Sequence, residues 1–138
     1  EGKTVIDFGC GSGILGIAAL LLGAEKVWAI DNDPQALLAS RDNAQRNGIP
    51  DERLITLLPE QIPAEAKADI MVANILAKPL IDLAQQISSL TLDQGQLCLS
   101  GILSHQVDQV SAAYASQFVF EACQIDDNWA QLSANKVP

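Results

Sequence analysis

The sequence predicts an α/β protein whose core is a doubly wound, mostly parallel sheet that ends in an antiparallel carboxyl-terminal hairpin. Short apolar runs alternate with longer stretches of helical periodicity along 138 residues, the length of one ordinary domain. The first apolar runs are continuous, as in parallel strands that are covered on both faces. The last two β-like segments are separated only by a short polar turn, which is typical of a hairpin.

Five strands come first, each a short apolar run. They are predicted at Lys3–Phe8, Lys26–Asp31, Arg53–Leu58, Ala68–Leu76 and Gly95–Ile102. Helical periodicity or helix-end signals separate most of them, with predicted helices at Ser12–Gly23, Asp33–Gly48, Lys78–Ser89 and Ser104–Ser116. The second helix has the clearest ends, because Asp33 can cap it, Pro34 suits its first turn and Gly48 can end it.

The hairpin segments Phe118–Asp126 and Asn128–Asn135 complete the predicted sheet. With the five earlier strands they give a seven-stranded sheet, and we assign residues 1–138 to one domain. The chain opens almost directly on a strand, so we expect it to be a fragment whose upstream part is missing.

Composition limits the kind of binding partner and the cellular compartment that we expect. A net charge of −9 argues against a direct nucleic-acid partner and suits a basic protein partner. No apolar run approaches the length of a membrane span. The three cysteines lie far apart without a paired motif, so we expect no metal site and a reducing cytoplasm. We also expect a monomer.

Residues that suit a nucleoside-type ligand follow three of the predicted strands. The turn with Gly9, Gly11 and Gly13 follows the first strand and lets backbone N–H groups approach a ligand in front of a helix amino terminus. Asp31 ends the second strand, and its carboxylate can accept both hydroxyl hydrogens of a ribose. Asn74, near the end of the fourth, offers an amide donor and acceptor. Each feature also has a purely structural explanation: tight packing for the glycine turn, a helix cap for Asp31 and a strand-end turn for Asn74.

Two ligands compete for this turn, a nicotinamide dinucleotide and S-adenosylmethionine. Gly11, Gly13 and Gly16 satisfy the spacing of the dinucleotide fingerprint. In that fingerprint the first glycine ends the strand, whereas here the strand ends at Phe8 and Gly16 falls inside the helix as a packing residue. The carboxylate of Asp7 would repel a pyrophosphate and attract an ammonium and a sulfonium. The residues favour S-adenosylmethionine, and an NAD-dependent oxidoreductase remains the alternative.

The motifs resemble a known family. "VIDFGCGSG" followed by "AIDNDP" resembles the class I S-adenosylmethionine-dependent methyltransferases, with an acidic residue, alternating glycines and a second acidic residue after strand two. "GKTVIDFGCGSGILGIAAL", "DNDPQALLASRDNAQRNG", "ADIMVANILAKPL" and "LSGIL" closely resemble the catalytic domain of the ribosomal protein L11 methyltransferases. The resemblance implies the Rossmann-like class I methyltransferase fold and S-adenosylmethionine as cofactor.

The resemblance also implies a substrate and site residues. It implies N-methylation of lysine side chains and of the N-terminal amine of ribosomal protein L11, with a separate N-terminal substrate-recognition domain that this chain lacks. The implied cofactor-binding residues are Asp7, Gly9, Gly11, Asp31 and Asn74, and Asn74 is also the implied catalytic residue. The tetrad after strand four, "NILA", departs from the Asn/Asp-Pro-Pro-Tyr of many methyltransferases that act on base amines. Another class I methyltransferase, acting on a small-molecule or nucleic-acid amine, is the second alternative.

Overall fold

The computed structural model describes residues 2–138, except for the side chain of Ala122. The chain forms two compact units, the first ending at Ala68 and the second running over Asp69–Pro138. Each unit contains strands and helices of its own.

The first unit has three parallel strands in the order β3-β2-β1, and two helices. The strands are β1 (Thr4–Phe8), β2 (Lys26–Ile30) and β3 (Leu54–Leu57), and the helices are α1 (Ile14–Leu21) and α2 (Pro34–Arg46). Helix α1 packs on β1 and β2 and contacts α2, which packs on β3. The buried side chains of β1 and β2 are mostly apolar, as the continuous apolar runs predict.

Helix α2 begins and ends at the predicted residues. Asp33 is the N-cap, and its side chain accepts a hydrogen bond from the Gln35 N–H at 3.0 Å. Pro34 occupies the first helical position, and Gly48 follows the C-cap residue Asn47. Both helix-end predictions are therefore confirmed.

The second unit contains four neighbouring strands in the order β4-β5-β7-β6. They are β4 (Ala68–Asn74), β5 (Thr91–Leu103), β6 (Phe118–Asp126) and β7 (Trp129–Lys136), with helices α3 (Ala77–Asp82), α4 (Ala84–Leu90) and α5 (Val107–Tyr114). Strand β7 is antiparallel to both β5 and β6, which confirms the predicted carboxyl-terminal hairpin. The Ser104 N–H donates a hydrogen bond to the Asn128 carbonyl at 2.7 Å, which ties the hairpin turn to the end of β5.

Three predicted elements of the second unit were partly wrong. The single helix predicted at Lys78–Ser89 is two helices, because Leu83 has ψ near 10° and ends the first of them. Strand β5 begins at Thr91, four residues before the predicted start. The predicted serine cap of the last helix is absent, since Ser104 begins a short 3₁₀ turn and α5 starts after Gln106 without a side-chain cap.

Polar contacts tie helix α4 to strand β7 and helix α5 to helix α3. The Lys136 ammonium of β7 donates hydrogen bonds to the carbonyls of Ser88 at 2.6 Å and Thr91 at 2.7 Å, at the carboxyl end of α4. The Tyr114 hydroxyl, fully buried, donates to the Leu80 carbonyl at 2.7 Å. Within residues 2–138, none of the helices is both long and apolar enough to cross a membrane.

Candidate functional site

A buried carboxylate lies at the amino end of α1. The side chain belongs to Asp7 of β1, which is 2% exposed and lies beside Gly16 in the first turn of α1. Burial raises the pKa of Asp7 from its ordinary 3.8 to about 6; the nearby backbone N–H of Gly16 opposes this increase, and the negative charge of Asp31 adds to it. A negative side chain therefore already occupies the helix end that binds phosphate in dinucleotide-binding proteins.

Gly16 itself is a packing residue, as predicted from its register. A β-carbon at this position would lie 2.9 Å from Val27 Cγ1 of the neighbouring strand β2 and 3.7 Å from Asp7 Oδ2. The glycine lets α1 approach β2 closely and leaves room for the Asp7 carboxylate. Helix packing therefore explains why a glycine stands at position 16, where the dinucleotide-binding fingerprint would have its last glycine.

The glycine turn, Gly9–Gly13, satisfies most of its own N–H groups. The N–H groups of Gly9 and Cys10 both donate to the Ile30 carbonyl, at 2.7 and 3.0 Å, and the Gly11 N–H donates to Asp31 Oδ2 at 3.0 Å. These three N–H groups have partners within the protein, because the turn closes onto the end of β2. A turn whose N–H groups are already bonded offers few donors to an anion.

Asp31 joins this turn to the start of α2 and keeps free acceptor capacity. Its Oδ2 accepts from the Gly11 N–H and its Oδ1 accepts from the Asp33 N–H, both at 3.0 Å. A carboxylate has about four lone-pair positions, so each oxygen has one left for a ligand hydroxyl. The side chain is half-buried, and Asp33, not Asp31, caps α2.

Open space lies beside Gly11. Its φ is +57°, and in the described part of the chain no atom except those of its sequence neighbours lies within 4 Å of where a β-carbon would stand. The backbone thus leaves room there for a ligand to approach.

Two side chains of α2 brace the glycine turn, and the sequence prediction missed both. The Ser40 hydroxyl, fully buried, donates to the Gly11 carbonyl at 2.9 Å, and the Asn43 amide donates to the Ser12 carbonyl at 2.9 Å. The available signal was a serine four residues before Ala44 on the buried face of a helix, where a polar side chain needs a partner. These bonds fix the turn carbonyls.

The second unit has a groove beside the end of β4. It encloses about 640 Å³, and we call it the hairpin groove; its lining includes Asn74, Leu76, Ser100, Gly101, Asp126 and Trp129. Asn74 is exposed, and the Trp129 ring, 52% exposed, forms an apolar wall at the start of β7. Among the described lining residues, Asp126 is the one ionisable group. An apolar wall with one carboxylate suits a long aliphatic chain that carries a cation.

The structure therefore gathers four of the five predicted cofactor residues in the first unit. Asp7, Gly9, Gly11 and Asp31 surround the glycine turn, while Asn74 lies in the hairpin groove of the second unit. These residues fit S-adenosylmethionine, since Asp7 favours a cation, Asp31 has spare acceptors for a ribose and the space beside Gly11 is open. The same set disfavours a pyrophosphate.

The order of the elements, the glycine turn and the antiparallel hairpin are those of the class I methyltransferases, which confirms the predicted fold class. The chain belongs to the ribosomal protein L11 methyltransferase family, whose model matches residues 1–137. Proteins of this family use S-adenosylmethionine as methyl donor.

Individual relatives agree with this assignment. The chain is 54% identical over 136 residues to the ribosomal protein L11 methyltransferase of Pseudomonas putida (strain W619), covering 99% of this chain and 46% of that protein. A crystal structure of ribosomal protein L11 methylase from Lactobacillus delbrueckii subsp. bulgaricus has a TM-score of 0.89 at 37% identity, over 100% of this chain and 72% of that one. The M. jannaschii tRNA m1G37 methyltransferase, with a TM-score of 0.84 over 99% of this chain and 45% of that one, is 16% identical and shares the fold. The chain spans about half the length of the curated relatives it matches.

Proposed function

We propose that residues 1–138 are the catalytic domain of a protein methyltransferase that N-methylates lysine side chains and the N-terminal amine of ribosomal protein L11. Membership of the family supports this activity. The observation that carries the proposal is the buried Asp7 carboxylate at the amino end of α1, beside a glycine turn in which most N–H groups are already bonded. This arrangement attracts a cationic cofactor and repels a pyrophosphate.

On the cofactor side, each residue of the first unit has a proposed part. Asp31 accepts hydrogen bonds from the ribose hydroxyls, and Asp7 contributes negative charge toward the ammonium and sulfonium groups. Gly9 and Gly11 keep the backbone free of side chains where the cofactor approaches. Bound S-adenosylmethionine supplies an electrophilic methyl group.

On the acceptor side, the hairpin groove takes the amine. The Trp129 ring packs against the methylene groups of a lysine, and the Asp126 carboxylate attracts the incoming ammonium. An ordinary lysine has a pKa near 10.4, so it must lose a proton before it can attack a methyl group. Apolar walls help because they disfavour the charged form. Asn74 then accepts an N–H of the neutral amine and orients its lone pair, and it also contacts the cofactor.

The remaining features favour a protein partner over a nucleic acid. A net charge of −9 opposes a phosphate backbone and suits a lysine-rich protein. The residues after Asn74, "ILA", provide no aromatic ring on which a base would stack. We propose a monomer that acts in the cytoplasm without a nucleic acid or a membrane, and whose substrate-recognition domain is a separate part of the protein.

The test is methyl transfer from tritiated S-adenosylmethionine to purified ribosomal protein L11, with mass spectrometry to locate the methyl groups. We expect label on lysine side chains and on the N-terminal amine, transferred much more slowly by Asn74→Ala and at the wild-type rate by the control Asn47→Ala, which changes the end of α2. The same assay with the protein extended to the relatives' length separates poor docking from absent chemistry. No transfer by either protein, with the cofactor bound, contradicts the proposal.

A further inference from the structure

Gly101 of strand β5 leaves room for Asn74 and Ile75 at the end of β4. A β-carbon at position 101 would lie 3.0 Å from Asn74 Oδ1 and 2.7 Å from the Ile75 carbonyl oxygen. Real β-carbons are essentially never found at the shorter distance, and one of the two atoms approached is backbone, which cannot rotate away. The missing side chain at position 101 is therefore what lets the Asn74 amide and the Ile75 peptide keep their places against β5.

The backbone of β5 is shaped for this contact. The register between β5 and β7 shifts between Leu99 and Ile102, where three steps along β5 face two steps along β7. Gly101 lies in this bulge with φ +83°, in the left-handed region that favours glycine. Leu99 and Ile102 on either side are fully buried, so the core fixes the bulge in place. The bulge thus holds Gly101 against Asn74.

The Asn74 amide has little else to orient it. Within the described residues no hydrogen bond orients its side chain, which is exposed at the end of β4. Its orientation depends on the space that neighbouring atoms leave, and Gly101 lines the same hairpin groove.

We propose that Gly101 is a positioning residue, which acts through Asn74 to set the geometry of the acceptor amine. This inference rests on the proposed function of Asn74 and deepens it. A side chain at position 101 displaces the Asn74 amide oxygen, and small displacements of an orienting group cost large factors in rate. We expect Gly101→Ala to lower kcat for methyl transfer at least tenfold, with a smaller change in KM for ribosomal protein L11.

The central experiment is a double-mutant cycle. Because Gly101 acts through Asn74, the double variant Gly101→Ala with Asn74→Ala should be no slower than Asn74→Ala alone. Gly48→Ala is the matched control: its φ is +71° and its β-carbon position is open, so it carries the backbone strain without the contact. A folded Gly101→Ala protein with kcat within twofold of wild type, or rate losses that multiply in the double variant, would overturn the inference.

A second variant separates contact from strain and keeps the test open if Gly101→Ala does not fold. Cys98 allows native chemical ligation of a synthetic 98–138 segment, which permits Gly101→D-Ala in the complete chain. A D-residue adopts φ +83° without strain. Its methyl group points away from the position that the β-carbon of an L-residue would occupy next to Asn74. We expect near wild-type kcat for this variant; loss of activity in a folded D-Ala protein refutes the proposed contact.

An activity-independent readout distinguishes failure of this inference from failure of the proposed function. The side-chain amide NMR signals of Asn74, assigned by their loss in Asn74→Ala, should shift in Gly101→Ala and stay in Gly48→Ala. If neither the wild-type chain nor the extended protein transfers a methyl group with the cofactor bound, the proposed function fails whatever the spectra show. If wild type is active and the Asn74 signals do not move in Gly101→Ala, the positioning role alone is wrong.

Discussion

The Asp7 carboxylate lies beside Gly16, 3.7 Å from where a β-carbon of that residue would stand, so a buried side chain of β1 fills the amino end of α1. Helix amino termini favour anions, and here the anion belongs to the protein. The site therefore presents negative charge to its ligand. This single relationship separates a cofactor with ammonium and sulfonium groups from one with a pyrophosphate.

The Asp7 carboxylate should make the free protein less stable as the pH rises. Burial holds its pKa at about 6 in the folded chain against 3.8 ordinarily, so between these values the folded state binds more protons than the unfolded state. The free energy of unfolding consequently falls through this window, by at most about 3 kcal/mol. Asp7→Asn should remove the penalty, with stability gained at pH 8 and little changed near pH 4.

Urea unfolding of wild type and Asp7→Asn at both pH values measures this effect. Asp42→Asn, which removes an exposed carboxylate on α2, controls for the loss of one negative charge. Equal gains in the two variants would show that the burial of Asp7 is not the cause. Calorimetry on Asp7→Asn should also show weaker binding of S-adenosylmethionine. The Asp7 carboxylate would then lower the stability of the free protein and strengthen its binding of the cofactor.

Asp31→Ala should weaken binding of S-adenosylmethionine by about 1–3 kcal/mol, the scale of hydrogen bonds to a charged group. The substitution also removes the acceptor of the Gly11 N–H, so the glycine turn should lose stability. Asp33→Ala is the neighbouring control: it removes the cap of α2 and should cost stability without a comparable loss of affinity. Unchanged affinity in folded Asp31→Ala protein would rule out the ribose contact.

Gly11→Ala should separate folding from binding. With φ +57° and open space at the β-carbon position, we expect a loss of about 1 kcal/mol in stability and a large loss of cofactor affinity, because the methyl group stands where the ligand approaches. A larger side chain, Gly11→Val, should abolish binding. Gly48→Ala carries similar strain away from the glycine turn and should bind normally. Full affinity in Gly11→Ala would place the cofactor elsewhere.

Trp129→Ala should weaken binding of the protein substrate without changing binding of the cofactor. The ring is half-exposed in the hairpin groove, so its removal should raise KM for ribosomal protein L11 roughly tenfold, about 1.4 kcal/mol of lost contact, and leave the Kd of S-adenosylmethionine unchanged. Steady-state kinetics and calorimetry on the same preparation measure both. An unchanged KM would show that lysine does not pack on this ring.

Where local rules act alone, the sequence predicted the structure well. The ends of α2 follow from Asp33, Pro34 and Gly48, because caps and breakers act within a few residues. The packing role of Gly16 followed from counting register from Phe8. In contrast, the break at Leu83 has no glycine or proline to mark it, so only tertiary packing separates α3 from α4.

The sequence indicated candidate residues for the site, but not the hydrogen bonds between them. The places of Gly11 after β1 and of Asp31 after β2 could be predicted from the sequence, but the hydrogen bond from the Gly11 N–H to Asp31 depends on how the turn folds back. The braces Ser40 and Asn43 lie about 30 residues from the turn they hold, beyond any local pattern. The bulge that brings Gly101 to Asn74 likewise arises from strand pairing across β5 and β7.

The most direct test of the central claim is calorimetric titration of the wild-type chain with S-adenosylmethionine, S-adenosylhomocysteine and NAD in parallel. The carboxylates of Asp7 and Asp31 predict saturable one-to-one binding of S-adenosylmethionine, weaker binding of S-adenosylhomocysteine because it lacks the sulfonium charge, and no binding of NAD. Saturable binding of NAD, with none of S-adenosylmethionine by a folded chain, would contradict the account.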